Sequence, residues 1–295
     1  MKDYSEVFIE YLSAEKKSSK NTIESYNRDI SQFSLYCSSN GVESITQTDR
    51  EHINAYFDYL TKLGKSDATK SRILASLRCY YRVLTNKGIL TSNPVDDIKL
   101  KKPERKLPGI LDSKEVLLLL SQPDVNDLKG IRDKAMLELL YATGIKVSEL
   151  IELKLSDLNL QIGVVHLHNE KKERFVPLYP AAVRSISDYV NNVRSVIVLQ
   201  DDEDILFTNM SGKALSRQGF WKIIKHYADM AGIKKDITPH TLRHSFAAHL
   251  LENGAKLSDI KEMLGHTDIS STQIYARLMK SKYTTAYAKF HPLAK

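Results

Sequence analysis

A charged, proline-containing segment divides the chain into two parts with different hydrophobic patterns. This segment, IKLKKPERKLPG, runs from Ile98 to Gly109 and has no apolar periodicity. Before it, apolar residues recur at helical spacing only; after it, helical patterns alternate with short strand-type patterns. We therefore predict a multidomain protein: an all-α domain over residues 1–99, a basic linker over 100–110, and a mainly helical α+β domain with a small β-hairpin over 111–295.

The first domain contains four stretches of helical periodicity. Glycines at 41, 64 and 88 follow the last three, and Asn21 or Thr22 is a candidate cap for the second. The fourth helix carries Lys70, Arg72 and Arg78 on its polar face. Such a face is most often simply solvated, but basic residues mixed with Ser and Thr near helix starts also bind phosphates. The residues predicted to contact DNA are Lys70, Arg72, Arg78, Lys101, Lys102 and Arg174.

The second domain combines helices with short strands. Two strands around a polar turn are predicted within Gly163–Leu178, and a third, isolated strand at Ile205–Phe207. The predicted helices run from Asp112 or Ser113 to Leu120, over 130–144, from Val147, over Ala181–Val196 and over Gln218–Met230.

Charge and cysteine content restrict the class of protein. The 295-residue chain has a net charge of +7, which favours a polyanionic partner: nucleic acid first, an anionic membrane surface second. Cys37 and Cys79 form neither a metal-binding spacing nor a disulfide framework, which suits a reducing cytoplasm. The start of the chain has no signal-peptide pattern, and no apolar run reaches the length of a membrane span.

One segment near the C-terminus gathers reactive side chains. Thr238 and Pro239 predict a helix start, and His240 and Arg243, three residues apart, share a face of that helix. Gly265 ends the next helix, His266 follows it, and Ser270 is predicted to cap the helix that carries Tyr275. These closely spaced caps and stops would fold the segment tightly and return Tyr275 to the Arg243 face.

These residue types suit attack on a phosphodiester without a metal. Arg243 can hold the anionic oxygens with two parallel hydrogen bonds. The phenol of Tyr275, with an ordinary pKa of about 10, needs a base or a positive field, which His240 could help to supply. His266 could donate to a non-bridging oxygen. The product would be a tyrosyl phosphate, which conserves the bond energy for rejoining without ATP.

Plainer interpretations compete for each residue. The chain has 15 tyrosines, and any one of them taken alone would be expected to be structural. His240 and His244 have a spacing that could bind a metal, but no HExxH motif or clustered carboxylate accompanies them. We therefore predict no metal and no cofactor, and assign His244 and His249 to packing or hydrogen bonding.

The spaced motif resembles the catalytic residues of the tyrosine recombinases, the phage integrase family, and most closely their Xer-like branch. The family pattern H-x-L-R-H, then L-G-H, then a tyrosine nine residues later is present in full. NTIESYNRDISQF and SNPVDDI resemble the family's SAM-like core-binding domain, and LLYATGIKVSELIELKLSDL and KKERFVPL its catalytic domain. The resemblance covers essentially the whole chain.

The resemblance implies further roles. Lys172, in KKER, is implied as the hairpin lysine that protonates the leaving 5′ oxygen, with Lys171 as an adjacent competitor; the turn lacks the family's usual glycine. Glu149 is similar to the acidic residue that supports the first catalytic arginine. The implied assembly is a tetramer on two duplex sites with inverted repeats, formed through a C-terminal helix at about 280–291. A second recombinase or an accessory activator could take part, and the expected location is the prokaryotic cytoplasm, at the nucleoid.

Lys146 departs from the family pattern. The family's first catalytic arginine stands in G-x-R-x-S-E-L, and this chain reads GIKVSEL. Lysine keeps the charge but loses the planar fork, so we predict normal DNA binding and slow chemistry. An engineered substitution, a natural slow variant and a binding-only protein would each explain it. We favour the first because every other catalytic position is filled.

Two other functions use similar residues. A type IB topoisomerase would relax DNA without a defined site, and the core-binding domain argues against it. An architectural DNA-binding protein with an inactive site is the third possibility. Replacing Tyr275 would separate enzyme from binder.

Overall fold

The computed structural model describes residues 4–101, 107–169, 172–198 and 204–278, with the backbone alone at Asn169 and Lys172. The chain folds into two compact units, Met1–Arg105 and Lys106–Lys295. The predicted helix at 280–291 lies outside the described residues.

The first unit is helical, as predicted. Its N-terminal helix continues as a π-helix over Tyr11–Glu15, and a 3₁₀ turn covers Ile45–Gln47. The helices are α1 Ser5–Glu10, α2 Lys20–Ser39, α3 Arg50–Lys62 and α4 Asp67–Asn86.

Side-chain caps define where these helices begin. Helix α2 starts one residue before its predicted caps, because the Ser19 hydroxyl accepts the N–H of Thr22. Asp49 caps α3 in the same way, and Ser66 caps α4. The apolar faces of the four helices bury one core, which includes Phe8, Phe33, Tyr56 and Tyr80.

The second unit is mainly helical with a small sheet, which confirms the predicted fold class. Helices α5 and α6 precede the short helix α7. A 3₁₀ turn over Leu155–Asp157 leads into the sheet. The elements are α5 Ser113–Leu120, α6 Leu128–Thr143, α7 Val147–Glu152, β1 Leu158–Asn159, β2 Val164–Asn169, β3 Lys172–Pro177, α8 Pro180–Asp188, α9 Ser195–Ile197, α10 Arg217–Met230, α11 Pro239–Glu252 and α12 Leu257–Leu264.

The sheet is antiparallel with the strand order β1-β2-β3. The predicted hairpin is confirmed, with Val165 opposite Val176, both buried. Strand β1 has only two residues, too few for alternation to be detected. The strand predicted at Ile205–Phe207 is wrong: Ile205 forms an isolated bridge to Lys154, while Leu206 and Phe207 belong to the apolar core.

The C-terminal part of this unit is a series of short helices. Helix α8 continues as a π-helix over Tyr189–Arg194 and then as α9. The helix predicted over Ala181–Val196 is therefore present, but its middle part is π-helical and not α-helical. A 3₁₀ turn over Ile269–Ser271 precedes a helical stretch at 273–278. Asp268 caps that turn, and Ser270 lies inside it. The helical stretch that carries Tyr275 begins three residues after Ser270, so the prediction that Ser270 caps it is wrong. Within the described residues, no helix combines the length and apolarity needed to cross a bilayer.

Candidate active site

Helix α11 holds Arg243 at the centre of the site. Pro239 opens the helix after Thr238, as predicted. Arg243 is only 4% exposed. Its guanidinium donates to the carbonyl oxygens of Gly144 and, at 2.7 Å, Leu264. These carbonyls end helices α6 and α12, where the helix dipole favours a cation. Within the described residues these two bonds use two of the five guanidinium N–H groups. The side chain is therefore held in place while other N–H groups can still donate to a bound phosphate.

Close packing surrounds this arginine. Gly144 has φ +59°, and a Cβ there would lie 2.4 Å from the ring of Phe246. Glycine is therefore required where helix α6 ends against α11. The Gly144 carbonyl is thereby held against Arg243.

Tyr275 lies on the helical stretch 273–278 and is 1% exposed. It packs with Phe246, Ile260 and Leu264. Its hydroxyl lies 2.9 Å from Nδ1 of His244. Burial raises the pKa of Tyr275, and the charge of Arg243 opposes that rise. Tyr275 is thus folded back onto α11, where its hydroxyl contacts His244 and the charge of Arg243 acts on it.

His240 lies in the first turn of α11 and is exposed when the whole residue is considered, although its imidazole is partly buried. Partial burial lowers its pKa, and the positive charges of Arg243 and Lys146 lower it further. Its ring lies 6.3 Å from that of His244, centroid to centroid. Within the described residues, no hydrogen bond joins His240 to Tyr275.

His266 follows Gly265, which ends α12 with φ +65°. Its Nδ1 lies 2.9 Å from Oγ1 of Thr272, a fully buried residue. A Thr272 hydroxyl that donates to Nδ1 leaves the ring proton on Nε2, the arrangement required for donation to a phosphate oxygen. Burial, with the charges of Arg243 and Lys146, lowers the pKa of His266 to about 4.

Lys146 precedes α7 and is exposed. Its backbone N–H donates to Oε2 of Glu149 at 2.8 Å. After burial and the charge of Arg243, the charge of Lys146 contributes to lowering the pKa of both His240 and His266.

Glu149, on α7, forms an ion pair with Arg174, on β3. The guanidinium donates to both carboxylate oxygens, at 3.0 and 2.9 Å, and its Nε donates to the carbonyl of Met263. Burial by itself raises the pKa of Glu149, but the hydrogen bonds from Arg174 and Lys146 outweigh it and lower that pKa. A Cβ on Gly265 would lie 2.8 Å from this guanidinium. The structure thus gives Arg174 an internal contact, and its predicted role in DNA binding stays a prediction.

The hairpin lysine is less fully described. Lys172 begins β3, and its backbone pairs with Asn169. Its side chain and the whole of Lys171 lie outside the described residues, so the choice between the two lysines stays a prediction.

The basic residues predicted on the first unit already have partners. Lys70 pairs with Asp67 at 3.0 Å, and Arg72 pairs with the buried Asp29. Arg78 donates to the carbonyl of Ile98 at 2.5 Å. Lys101 is exposed, and Lys102 lies outside the described residues. Their roles in DNA binding stay predictions.

One group of side chains has metal-ligand chemistry. Ligand-type atoms of Asp157, at the end of the 3₁₀ turn, and of His166 and His168, on β2, lie within 4.8 Å of one another. His168 Nδ1 is 3.4 Å from Asp157 Oδ1. These ligand types suit zinc. The group contains none of the residues predicted to be catalytic.

Two contact partners in this site were not identified from the sequence. His244 is predicted to pack or to hydrogen-bond, and it does form a hydrogen bond, but the sequence did not identify Tyr275 as its partner. Thr272 gave no signal, because its contact with His266 depends on how the chain turns between them.

Comparison with known proteins is consistent with this geometry. The phage integrase family matches residues 110–282, and the phage integrase N-terminal SAM-like domain matches residues 6–88. A tyrosine recombinase XerD of Staphylococcus epidermidis is 42% identical over 290 residues, 98% of each chain. One from Staphylococcus aureus is 41% identical over the same length and the same shares of both chains.

Solved structures share the fold. An XerH site-specific recombinase bound to a palindromic difH substrate aligns with a TM-score of 0.76 at 21% identity, covering 92% of this chain and 81% of the other. An XerA recombinase aligns over 98% of both chains at 26% identity, with a TM-score of 0.54. On its sequence and its fold, the chain belongs to the phage integrase family of tyrosine recombinases, enzymes that cleave and rejoin DNA.

Proposed function

We propose that this recombinase exchanges strands between two duplex sites with inverted repeats, through a 3′-phosphotyrosyl link and a Holliday junction. The observation that carries the proposal is a buried, carbonyl-anchored Arg243 whose charge acts on Tyr275, His240 and His266. The charge of Lys146 acts on the same two histidines. The site offers cationic groups for the phosphate, so the chemistry proposed needs neither metal nor ATP.

The proposed step begins with the phosphate held by Arg243. The remaining N–H groups of Arg243 and the Nε2–H of His266 donate to the non-bridging oxygens. The Tyr275 oxygen bonds to phosphorus as the bond to the 5′ oxygen breaks, and Lys172 gives that oxygen a proton. In the return step a 5′ hydroxyl attacks the phosphotyrosine, and Tyr275 leaves. The number of phosphoester bonds is unchanged, so no external energy is needed.

Lys146 is proposed to slow both steps. An ammonium is a point charge, whereas the family's arginine offers a planar pair of donors. DNA binding should be little affected, since phosphate contacts elsewhere supply most of the affinity.

The assembly is proposed to be a tetramer held by the C-terminal helix of each neighbour. An apolar cleft of about 430 Å³ in the second unit, lined by residues that include Tyr141, Leu178, Phe246, Leu250 and Met263, offers one place for an amphipathic helix. The plasmid test described next also shows whether the tetramer contains a second recombinase or needs an activator, when each of these proteins is added in turn.

The test compares two plasmids incubated with the chain. One carries two copies of the site found by sequencing the DNA trapped on Tyr275; the other carries none. A site-specific recombinase yields recombinant products from the first and leaves the second supercoiled. Relaxation of both plasmids would support a topoisomerase, and binding without any product would support an architectural protein.

A further inference from the structure

We propose that His244, rather than His240, is the general base for Tyr275: its Nδ1 takes the phenol proton during cleavage and returns it during rejoining. This inference rests on the proposed function and adds to it the route of one proton. The two groups share a hydrogen bond in the structure.

The geometry favours His244 over its neighbour. Nδ1 of His244 lies 2.9 Å from the Tyr275 hydroxyl, within the range expected of a base and its proton. The two rings lie 5.7 Å apart at an interplanar angle of 55°. His240, by contrast, is exposed and has no hydrogen bond to Tyr275 within the part of the chain described.

The packing fixes this contact. Tyr275 packs with Phe246 of α11 and with Ile260 and Leu264 of α12, and α11 also carries His244. The charge of Arg243 acts on both His244 and Tyr275, so base, nucleophile and phosphate-binding cation lie at one centre.

The charges around His244 keep it neutral. It is faced by His240 and Arg243 on α11, by His266 after α12, and by Tyr275 itself. Burial, together with the charges of His240 and Arg243, lowers the pKa of His244 to about 4. At neutral pH the ring is therefore unprotonated, and Nδ1 can accept the phenol hydrogen bond.

DNA binding would strengthen the base. A phosphate at Arg243 brings negative charge close to His244, which raises the pKa of the imidazole toward its ordinary value. The proton then moves from the phenol to Nδ1 as the bond from the Tyr275 oxygen to phosphorus forms. Without DNA the phenol keeps its proton, so the nucleophile is activated only where its target is bound.

The test is the pH dependence of cleavage. Single-turnover formation of the covalent adduct is followed on a nicked suicide substrate for the unchanged chain, His244→Asn and His240→Asn. His249→Asn is the matched control, since His249 lies on the same helix and bonds to Tyr141 instead. Melting temperature and DNA affinity, measured for each variant, confirm that it is folded and binds.

We expect His244→Asn to lower the cleavage rate at pH 7 by about 100-fold or more, the usual contribution of a general base. Its rate should then rise steadily with pH as hydroxide replaces the base, whereas the unchanged chain reaches a plateau. The loss should persist on a substrate with a 5′-bridging sulfur, whose leaving group needs no acid. His249→Asn should cleave normally.

Two results would overturn the inference. One is a His244→Asn variant that cleaves at the normal rate, or with the same deficit at every pH. The other is a His240→Asn variant that alone shows the altered profile. If neither the unchanged chain nor Lys146→Arg forms any adduct, the proposed function itself fails, and the inference fails with it.

Discussion

At the scale of single residues, we expect position 146 to limit the rate of cleavage. Lys146 lies close enough to His240 and His266 to lower the pKa of both, so its charge already acts on the centre. What it lacks is a second, parallel donor to the phosphate. We expect Lys146→Arg to speed formation of the covalent adduct by about 100–1000-fold, the range for one transition-state donor. Rapid-quench assays on a suicide substrate measure this, and equal rates for the two chains would contradict it.

The Glu149–Arg174 pair should be important for stability. Their side chains are only 11% and 5% exposed, and the contact is bidentate. Glu149→Ala leaves the guanidinium buried without its partner, at a cost of about 3–5 kcal/mol in the free energy of unfolding. Urea unfolding of Glu149→Ala, Arg174→Met and the double variant measures the coupling. The double variant should lose less free energy of unfolding than the two single variants lose together. Strict additivity of the two losses would show that Glu149 and Arg174 are not energetically coupled.

At the scale of elements, the turn before the Tyr275 helix positions His266. The Thr272 hydroxyl contacts Nδ1 of His266 and is fully buried. Thr272→Val keeps the volume but removes the hydroxyl that selects the Nε2–H tautomer. We expect slower cleavage with DNA affinity unchanged, while Thr272→Ser stays close to normal. A Val variant that cleaves as fast as the parent would show that the hydroxyl has no part in orienting His266.

Elements with strong local signals were predictable. The hairpin, the end of α6 at Gly144 and the start of α11 at Pro239 follow from alternation, glycine and proline, and all three are confirmed. The two-residue strand β1 and the π-helical segments carry no periodicity of their own. Ile205–Phe207 was wrongly predicted as a strand because an apolar run of three residues can enter a core while forming only an isolated bridge.

At the scale of the molecule, the active site depends on contacts that no local pattern encodes. The sequence predicted the set Arg243, His240, His266 and Tyr275. It did not predict that the carbonyls ending two other helices would hold Arg243, because those contacts require the folded arrangement of α6, α11 and α12. The sequence also did not identify Tyr275 as the hydrogen-bond partner of His244, because that contact depends on how the chain folds back between them.

Acid should destabilise the second unit through its buried histidines. Burial and neighbouring positive charge lower the pKa of His244 and of His266 to about 4, against an ordinary value of 6.5 in the unfolded chain. Between pH 6.5 and 4 the unfolded state therefore binds protons that the folded state excludes, and stability falls as pH falls. Melting temperatures from about pH 7.5 to about 4.5 should decline less steeply in His244→Asn than in the parent. Parallel curves would contradict the buried, neutral state of His244.

The central claim is that Tyr275 is the nucleophile. The direct measurement is to incubate the chain, in its Lys146 and Lys146→Arg forms, with a nicked suicide substrate, denature the mixture, and map the residue that carries the DNA by peptide mass spectrometry. We predict a 3′-phosphate linked to Tyr275 in both forms, slowly in the first, and no adduct when Tyr275→Phe is introduced. DNA attached to any other residue, or an adduct that survives Tyr275→Phe, would contradict the account.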